Sequence, residues 1–486
     1  MSLLAVAAVL EPDYNYTIVD GNLEDDPLAT LDQLIRQTDN PLLGLTVMPG
    51  PQLTQAVPLC RTLKERHPHL LIVWGGYFPT QHWDVALRAP YVDYVVRGHG
   101  EIVFRQLLDH LTNQSISLPL TSTEADDAAP GPNIPGLAYT LPDGSPHSNP
   151  LAPIPHPNKL PSWNFDQLPM EHYVRPTFLG SRTLGYHSSY GCPFFCNFCA
   201  VVNMVNGRWL PQSAETVAHI AQHYHDQWQV NAIEFYDNNF FVHQARVAEF
   251  SERIQHLNLA WWGEGRIDTM IAYDDQTWRL MRDSGLKMVY LGAESGSIET
   301  LKRMDKGGQM SPEKTLAIAE KMRRWQIIPE FSFVMGNPPD PEQDIIDTID
   351  FIRKLKTIYP ESEIVMYLYT PVPLAGDLYD QAKADGFAFP ETLEDWISPA
   401  WQQFSQRRSR TMPWIRPTLQ DRIHNFERVL NAYYPTSTNY HLKKSHRQAL
   451  RALSSWRYHL QFYRFPWELR LLHRFVAYQR PETSSF

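Results

Sequence analysis

Leu70-Leu71-Ile72-Val73-Trp74-Gly75-Gly76-Tyr77-Phe78-Pro79-Thr80 runs five apolar residues straight into a pair of glycines. A short apolar run closed by a turn signal reads as a buried strand. Glycines directly after it let a ligand or another backbone approach with no Cβ in the way, although a tight turn asks for the same residues. Working outward, residues 17–20, 42–47 and 92–96 are further short apolar runs, and 27–37, 51–66 and 100–112 have helix-like patterns. This alternation predicts an α/β fold whose first domain, residues 1–140, is a Rossmann-like, doubly wound parallel sheet. Ligands of such sheets lie beyond the carboxyl ends of the strands. Gly50, Gly75-Gly76 and Gly98-His99-Gly100-Glu101 fall at those ends.

Three of the four cysteines lie within eight residues, in Gly191-Cys192-Pro193-Phe194-Phe195-Cys196-Asn197-Phe198-Cys199. Three thiolates this close can hold three irons of a cubane cluster and leave the fourth open to a small molecule. Structural zinc needs four ligands in a closed tetrahedron, and no second CxxC follows. His219 and His223 have HxxxH spacing, but together with three cysteines they overfill such a site, and a solvated helix face explains them as well. A disulfide scaffold would be small and cysteine-dense. This chain has 486 residues, and Met1-Ser2-Leu3-Leu4 lacks the basic region and cleavage site of a secretory signal, so a reducing cytoplasm is the expected compartment.

A net charge of -10 argues against general nucleic-acid binding. No uninterrupted apolar stretch approaches the roughly 20 residues of a membrane span. The 39 prolines mark loops rather than disorder, since periodic apolar segments lie between them. They crowd residues 141–182, which reads as a stiff linker.

A second α/β region is expected over residues 183–400. Ala232-Ile233-Glu234-Phe235-Tyr236-Asp237-Asn238-Asn239-Phe240 reads as a strand ending in a polar cluster. Helix-like patterns recur at 212–228, 244–256, 274–285, 297–304, 311–326 and 341–357. Ser311-Pro312-Glu313 supplies an N-cap, a proline at the first helical position and an acidic first turn. Repeated strand-helix units predict a partial β/α barrel, with its active site at the carboxyl ends of the strands. Asp237 stands at one such end, either facing a ligand or capping the next helix. Glu264 and Arg266 are one side-chain period apart, so they share a face; they pair with each other, or Arg266 grips a carboxylate. Glu294, in Leu291-Gly292-Ala293-Glu294-Ser295-Gly296, would be costly to bury without a partner, which favours a site role.

Taken in order, Val73 to Thr80, Val92 to Glu101, Ile134-Pro135-Gly136-Leu137-Ala138-Tyr139 and Gly191 to Cys199 resemble the cobalamin-binding radical S-adenosylmethionine (SAM) enzymes. The resemblance runs from about residue 5 to about residue 390. It implies a cobalamin over the Gly75-Gly76 loop, with Thr46, Gly98 and Glu101 among its contacts. It implies a 4Fe-4S cluster on Cys192, Cys196 and Cys199, dressed by Phe194, Phe195 and Phe198. SAM would sit on the open iron with Asp237, Arg266 and Glu294 around it. The implied chemistry is hydrogen abstraction from an unreactive carbon by a 5'-deoxyadenosyl radical, followed in most relatives by methyl transfer from methylcobalamin. The alternative is an oxidoreductase or cyclase without methyl transfer, like the anaerobic enzyme of bacteriochlorophyll synthesis. Implied partners are a small-molecule substrate, hydrophobic or peptide-like, and an external electron donor such as flavodoxin or ferredoxin. A bare electron-transfer module would ligate all four irons and need no second cofactor domain.

The chain also departs from that pattern. The family usually opens with a strand before the segment that here begins at Met1. A DxHxxG motif is absent, so the resemblance implies a cobalt without a histidine on its lower face; His67, His69, His82 and His99 read as surface or packing residues. Where many relatives read Pro-x-Pro-Gly-Thr, this chain has Pro371-Val372-Pro373-Leu374-Ala375, which implies a different substrate if that turn touches it. From about residue 400 the resemblance fades. In the 401–486 segment, Trp456, Tyr458, Phe462, Tyr463, Phe465, Trp467, Phe475 and Tyr478 interleave with Lys443, Lys444, Arg447, Arg451, Arg457, Arg464, Arg470 and Arg474. This segment reads as a helical cap on the barrel or as a surface for an anionic membrane.

Overall fold

A computed structural model describes the chain except residues 1, 12, 113–130, 307–309, 375, 406–411, 437, 440, 441 and 479–486. Ala375, in the turn where relatives carry Gly-Thr, lies outside the described residues. The chain divides into two compact units. One comprises residues 1–170 with 203–205 and 389–402; the other comprises 171–202, 206–388 and 403–486.

The first unit is built on five strands, β1 (Leu42–Thr46), β2 (Leu71–Gly75), β3 (Tyr94–Val96), β4 (Leu137–Thr140) and β5 (Pro146–Ser148), in that spatial order. The first three are parallel and the last two antiparallel. Side chains alternate across the sheet. Ile72, Trp74 and Val95 pack with Leu53, Val57 and Leu63 of the helix Pro51–Arg66, while Val73 and Val96 pack with Val103 and Leu107 of the helix Gly100–Leu111. Burial on both faces is why these strands read as unbroken apolar runs. Residues 389–402 complete the core through Leu393 and Trp396. Trp396 and Phe389 close on the His82 ring at 4.5 and 4.9 Å, and burial pushes His82 down to about 4. His67 is held by Asp32 at 2.7 Å, and His69 is exposed.

Two local expectations give way. Residues 17–20 form no strand, and β1 is a sheet edge. A β-prone tetrapeptide becomes a strand only where a neighbour takes up its backbone hydrogen bonds, and no neighbour does so here. Within the segment expected as a linker, residues 146–148 instead form β5, followed by single turns at Pro157–Lys159, Phe165–Gln167 and Met170–Tyr173.

The second unit holds β6 (Thr183–Tyr186), β7 (Ser189–Gly191), β8 (Trp209–Pro211), β9 (Ala232–Phe235), β10 (Ala260–Gly265), β11 (Leu286–Glu294), β12 (Ile328–Met335) and β13 (Glu363–Leu368). Six of them form one parallel sheet in the order β6-β9-β10-β11-β12-β13, left open between its ends as in a partial β/α barrel. Helices Ala214–Trp228, Gln244–Ile254, Asp275–Asp283, Ile298–Arg303, Pro312–Trp325 and Pro341–Ile358 follow the sequence expectation within two residues at most ends. Ser311 caps its helix by accepting from the Lys314 N–H at 3.3 Å. β7 and β8 pair as an antiparallel hairpin whose long loop carries the cysteines. The tail folds into helices Pro417–Tyr433, Lys444–His459 and Trp467–His473. Arg353 of the helix Pro341–Ile358 anchors it, donating to the Tyr458 carbonyl at 2.6 Å and lying 4.5 Å over the Tyr458 ring. No helix among the described residues is long and apolar enough to cross a membrane.

Candidate active site

The cysteine loop is fixed at its base before its thiols are placed. Gly191 leaves β7 at φ +82°, and Asn206 and Gly207 return to β8 at +47° and +69°. Asp237, just past β9, is fully buried. It accepts from the Ser188 N–H at 3.0 Å, from the Ser188 hydroxyl at 2.9 Å and from the Ser189 hydroxyl. This settles one of the two sequence expectations for Asp237. Its carboxylate is taken up by Ser188 and Ser189 at the start of the loop and does not cap the helix Gln244–Ile254, whose cap residue is His243. Arg246 adds a 2.6 Å bond to the Ser188 hydroxyl. Farther along, the Asn197 backbone N–H donates to the Met304 carbonyl at 3.2 Å and its amide to the Arg303 carbonyl, which ties the loop to residues 303–306.

That tie brings together residues far apart in sequence. Cys192, Cys196 and Cys199 are all free thiols, and Cys196 is buried. Arg266 donates from Nη1 to Cys196 Sγ at 3.3 Å. Its guanidinium is clamped by Asp268 at 3.0 and 2.7 Å, donates to the Lys306 carbonyl at 2.8 Å and stacks 3.7 Å over the Phe194 ring. Arg266 therefore does not pair with Glu264, and the carboxylate that it grips is Asp268. Glu294 ends β11 at φ +64°, beside a register shift at Gly292, and pairs with Lys306. The two side chains are only 8 and 4% exposed. Lys306 also donates to the Gly292 carbonyl, and a Cβ at Gly292 would overlap the pair. Burial raises all three thiols, Cys199 to about 12, while Lys306 and Arg266 pull Cys196 back toward the thiolate.

The donor set fits a cubane. Among the described residues no three of His, Cys, Asp and Glu converge on one metal ion, and His219 and His223 stand exposed on their helix. A cluster gives each cysteine its own iron, so it needs no such convergence. Asn239 offers a second sign of a bound group: it is 1% exposed, and its amide meets the Cys192 thiol with no other partner for its polar atoms among the described residues. Phe194 and Phe198 are half-buried, whereas Phe195 is 54% exposed and covers Gly207 rather than the thiols.

The sheet's inner face adds a polar-aromatic surface. Trp262 donates to Glu330 at 3.0 Å and meets the rings of Tyr236 and Tyr290 at 5.7 and 6.3 Å. Glu264 lies one side-chain period beyond Trp262 and so shares that face. It makes no hydrogen bond among the described residues, and burial, then Glu330 and Asp237, push it up to about 8.

In the first unit, Thr46, Gly75, Gly76, Gly98 and Glu101 all fall at the carboxyl ends of β1, β2 and β3 or in the helical turn that follows. Gly76 has φ +97°, and a Cβ there would lie 2.9 Å from the Thr46 hydroxyl and 3.2 Å from the Val47 nitrogen. The close approach at Gly76 is thus made by the chain itself. At Gly50 and Gly98, with φ +82° and +78°, a Cβ would meet nothing within 4 Å, so the chain leaves space beside both glycines at the ends of β1 and β3. Glu101 is buried, its Oε2 3.9 Å from His99 Nδ1.

Sequence reasoning had no route to Lys306 or to the clamp of Asp268 on Arg266. The one local signal was the Ile267-Asp268 that follows Arg266.

The Radical SAM superfamily description matches residues 186–352, and the B12 binding domain description matches residues 1–108. An uncharacterized methyltransferase of Pyrococcus horikoshii is 26% identical over 377 residues, 77% of this chain and 76% of that protein. An anaerobic magnesium-protoporphyrin IX monomethyl ester cyclase of Synechocystis is 26% identical over 386 residues, 76% of this chain and 70% of that one. Among solved structures, the radical SAM methyltransferase TsrM of Kitasatospora setae, with cobalamin and a 4Fe-4S cluster bound, aligns with a TM-score of 0.57 at 17% identity, covering 76% of this chain and 70% of that one. At that identity the structural likeness speaks for the fold. With the two matched domains in this order, and the cysteine loop inside the second, the chain belongs to the cobalamin-binding radical SAM enzymes.

Proposed function

We propose that this enzyme methylates an unactivated carbon of a small molecule, with Cys192, Cys196 and Cys199 holding a 4Fe-4S cluster and the open strand ends of the first unit holding cobalamin. The observation that carries the reading is a loop of three free thiols faced by two buried cations, Arg266 and Lys306. When bound, the cluster with SAM supplies the radical that takes hydrogen from carbon, and cobalamin supplies the methyl group. The chain's residues hold these groups in place. Arg266, locked by Asp268, keeps an N–H on the Cys196 sulfur, a contact that raises the potential of a bound cluster. Phe194, stacked on Arg266, keeps water from that contact. The buried Asn239 amide, whose polar atoms meet nothing but the Cys192 thiol, is placed to bind the polar end of SAM. An external one-electron donor of the flavodoxin or ferredoxin kind is required.

Reconstitution under anaerobic conditions with SAM labelled in its methyl group, hydroxocobalamin, a reductant and cell extract tests this reading. Label in a metabolite together with 5'-deoxyadenosine supports methylation. If 5'-deoxyadenosine forms without label transfer, the cyclase-type reading takes its place; the chain is as similar to the Synechocystis cyclase as to the Pyrococcus methyltransferase. If neither forms, the radical reading fails.

Glu264 gives the inner face its proton inventory. With its carboxyl raised to about 8 by burial, the protonated form is favoured at neutral pH, which makes it a hydrogen-bond donor on the face of Trp262 and Tyr290. A carboxyl whose folded pKa lies above its unfolded value holds more protons in the folded state, so it subtracts stability as pH rises between the two. From pH 4 to 8 the loss is about 4 kcal/mol. Glu264→Gln is expected to remove it, so the melting temperature of the variant should exceed that of the parent at pH 8 and match it near pH 5. Parallel pH profiles would mean that Glu264 is charged in the folded chain.

A further inference from the structure

Eight of the thirteen exposed large hydrophobic side chains among the described residues fall between Leu453 and Phe475, on two helices, the turn that joins them and the turn that follows. Leu460, Phe465, Trp467 and Phe475 are 72, 77, 69 and 80% exposed. These are not the packing side of the tail. That side is Leu450, Tyr458, Tyr463, Leu469 and Tyr478, all buried, with Tyr463 at 5.0 Å from Phe426 and Tyr458 stacked on Tyr433 at 4.5 Å. The exposed set adds nothing to the core, and a contiguous apolar patch of this kind marks an interaction site. Within it, Leu453, Trp456, Phe462, Phe465 and Trp467 line a shallow crevice with Arg464 among its walls.

The charge around the patch indicates what covers it. Residues 443–478 hold eight lysines and arginines and a single acid, Glu468, on a chain whose net charge is -10. Glu468 is paired with Arg457, a side chain only 4% exposed, so its charge is already matched. Lys443, Lys444, Arg451, Arg464, Arg470 and Arg474 stay exposed. Apolar tips ringed by cations suit a bilayer interface, where the tips enter the acyl boundary and the cations meet lipid phosphates. A second copy of the chain on this patch would set cations against cations. With no helix among the described residues able to span, the contact is made from one side of the membrane.

We propose that the tail, residues 443–478, docks this enzyme onto the surface of an anionic phospholipid bilayer through Leu460, Phe465, Trp467 and Phe475. The inference does not depend on the reaction proposed above. Flotation of the full chain with vesicles tests it. The chain should float with equimolar phosphatidylcholine and phosphatidylglycerol, stay down with phosphatidylcholine alone, and be released by molar salt. Phe465→Ala with Phe475→Ala should lower the partition coefficient roughly tenfold or more. Arg464→Glu with Arg474→Glu should abolish the preference for the anionic vesicles. All four side chains are exposed, so both double variants should melt at the parent's temperature. No flotation with either vesicle overturns the proposal, as does flotation that the phenylalanine changes leave intact. Sedimentation showing a dimer that those changes dissolve would assign the patch to a second copy and overturn it too.

Discussion

Cys196→Ala leaves the chain folded and without its cluster. The reconstituted variant is expected to lose the broad visible absorption of a 4Fe-4S centre, and 5'-deoxyadenosine formation should drop to the level of a protein-free mixture. Cys196 is the sharpest of the three positions to change because its sulfur receives the Arg266 N–H at 3.3 Å and lies in the field of Lys306 as well. Two cations held beside one thiol favour the thiolate, which is the form that binds iron. The side chain is small and sits on a loop tied down elsewhere, by Asp237 through Ser188 and by Asn197 through Met304. The apo variant should therefore keep its circular dichroism and melting temperature. A variant that still shows cluster absorption would refute the ligand assignment.

Lys306→Met carries the largest expected effect on stability. The methionine fills the space of the lysine stem but leaves the Glu294 carboxylate buried beside no cation and the Gly292 carbonyl without its donor. Removing one partner of a buried ion pair costs about 3–5 kcal/mol, because the charge left behind is uncompensated. For a unit of this size that is a fall of about 10 °C in melting temperature. The double variant Lys306→Met with Glu294→Gln should recover most of the loss, since no charge remains to be desolvated. Calorimetry on the parent, both single variants and the double variant measures the coupling. A loss of only about 1 kcal/mol for Lys306→Met would place the pair in solvent-like surroundings instead.

Much of the fold could be read from local pattern. The helix expected at 51–66 forms at Pro51–Arg66, that at 311–326 at Pro312–Trp325, and that at 341–357 at Pro341–Ile358. Their caps and apolar spacing act within a few residues, so sequence alone carries them. The run at 17–20 misled for the complementary reason. Its residues suit a strand, but a strand also needs a neighbour. β4 and β5 show the same dependence, since their antiparallel pairing, with β3 for β4, arises only once the chain has turned back on itself.

The candidate site divides along the same line. The cysteine loop was legible because three reactive side chains within eight residues leave few alternatives. The roles of the charged residues were not. Asp237 serves Ser188 and Ser189 across 49 and 48 positions, Arg266 reaches Cys196 across 70, and Lys306 meets Glu294 across 12.

By itself, then, the sequence determined the kind of architecture, the cysteine loop and the strand ends where ligands belong, because each is written in neighbouring residues. Only the tertiary structure decided which charges compensate one another, that Arg266 and Lys306 face the thiols, and that five of the eight tryptophans, tyrosines and phenylalanines of residues 443–478 stay in solvent. Burial and ion pairing depend on distance in space. The chain must fold before a carboxylate has a partner.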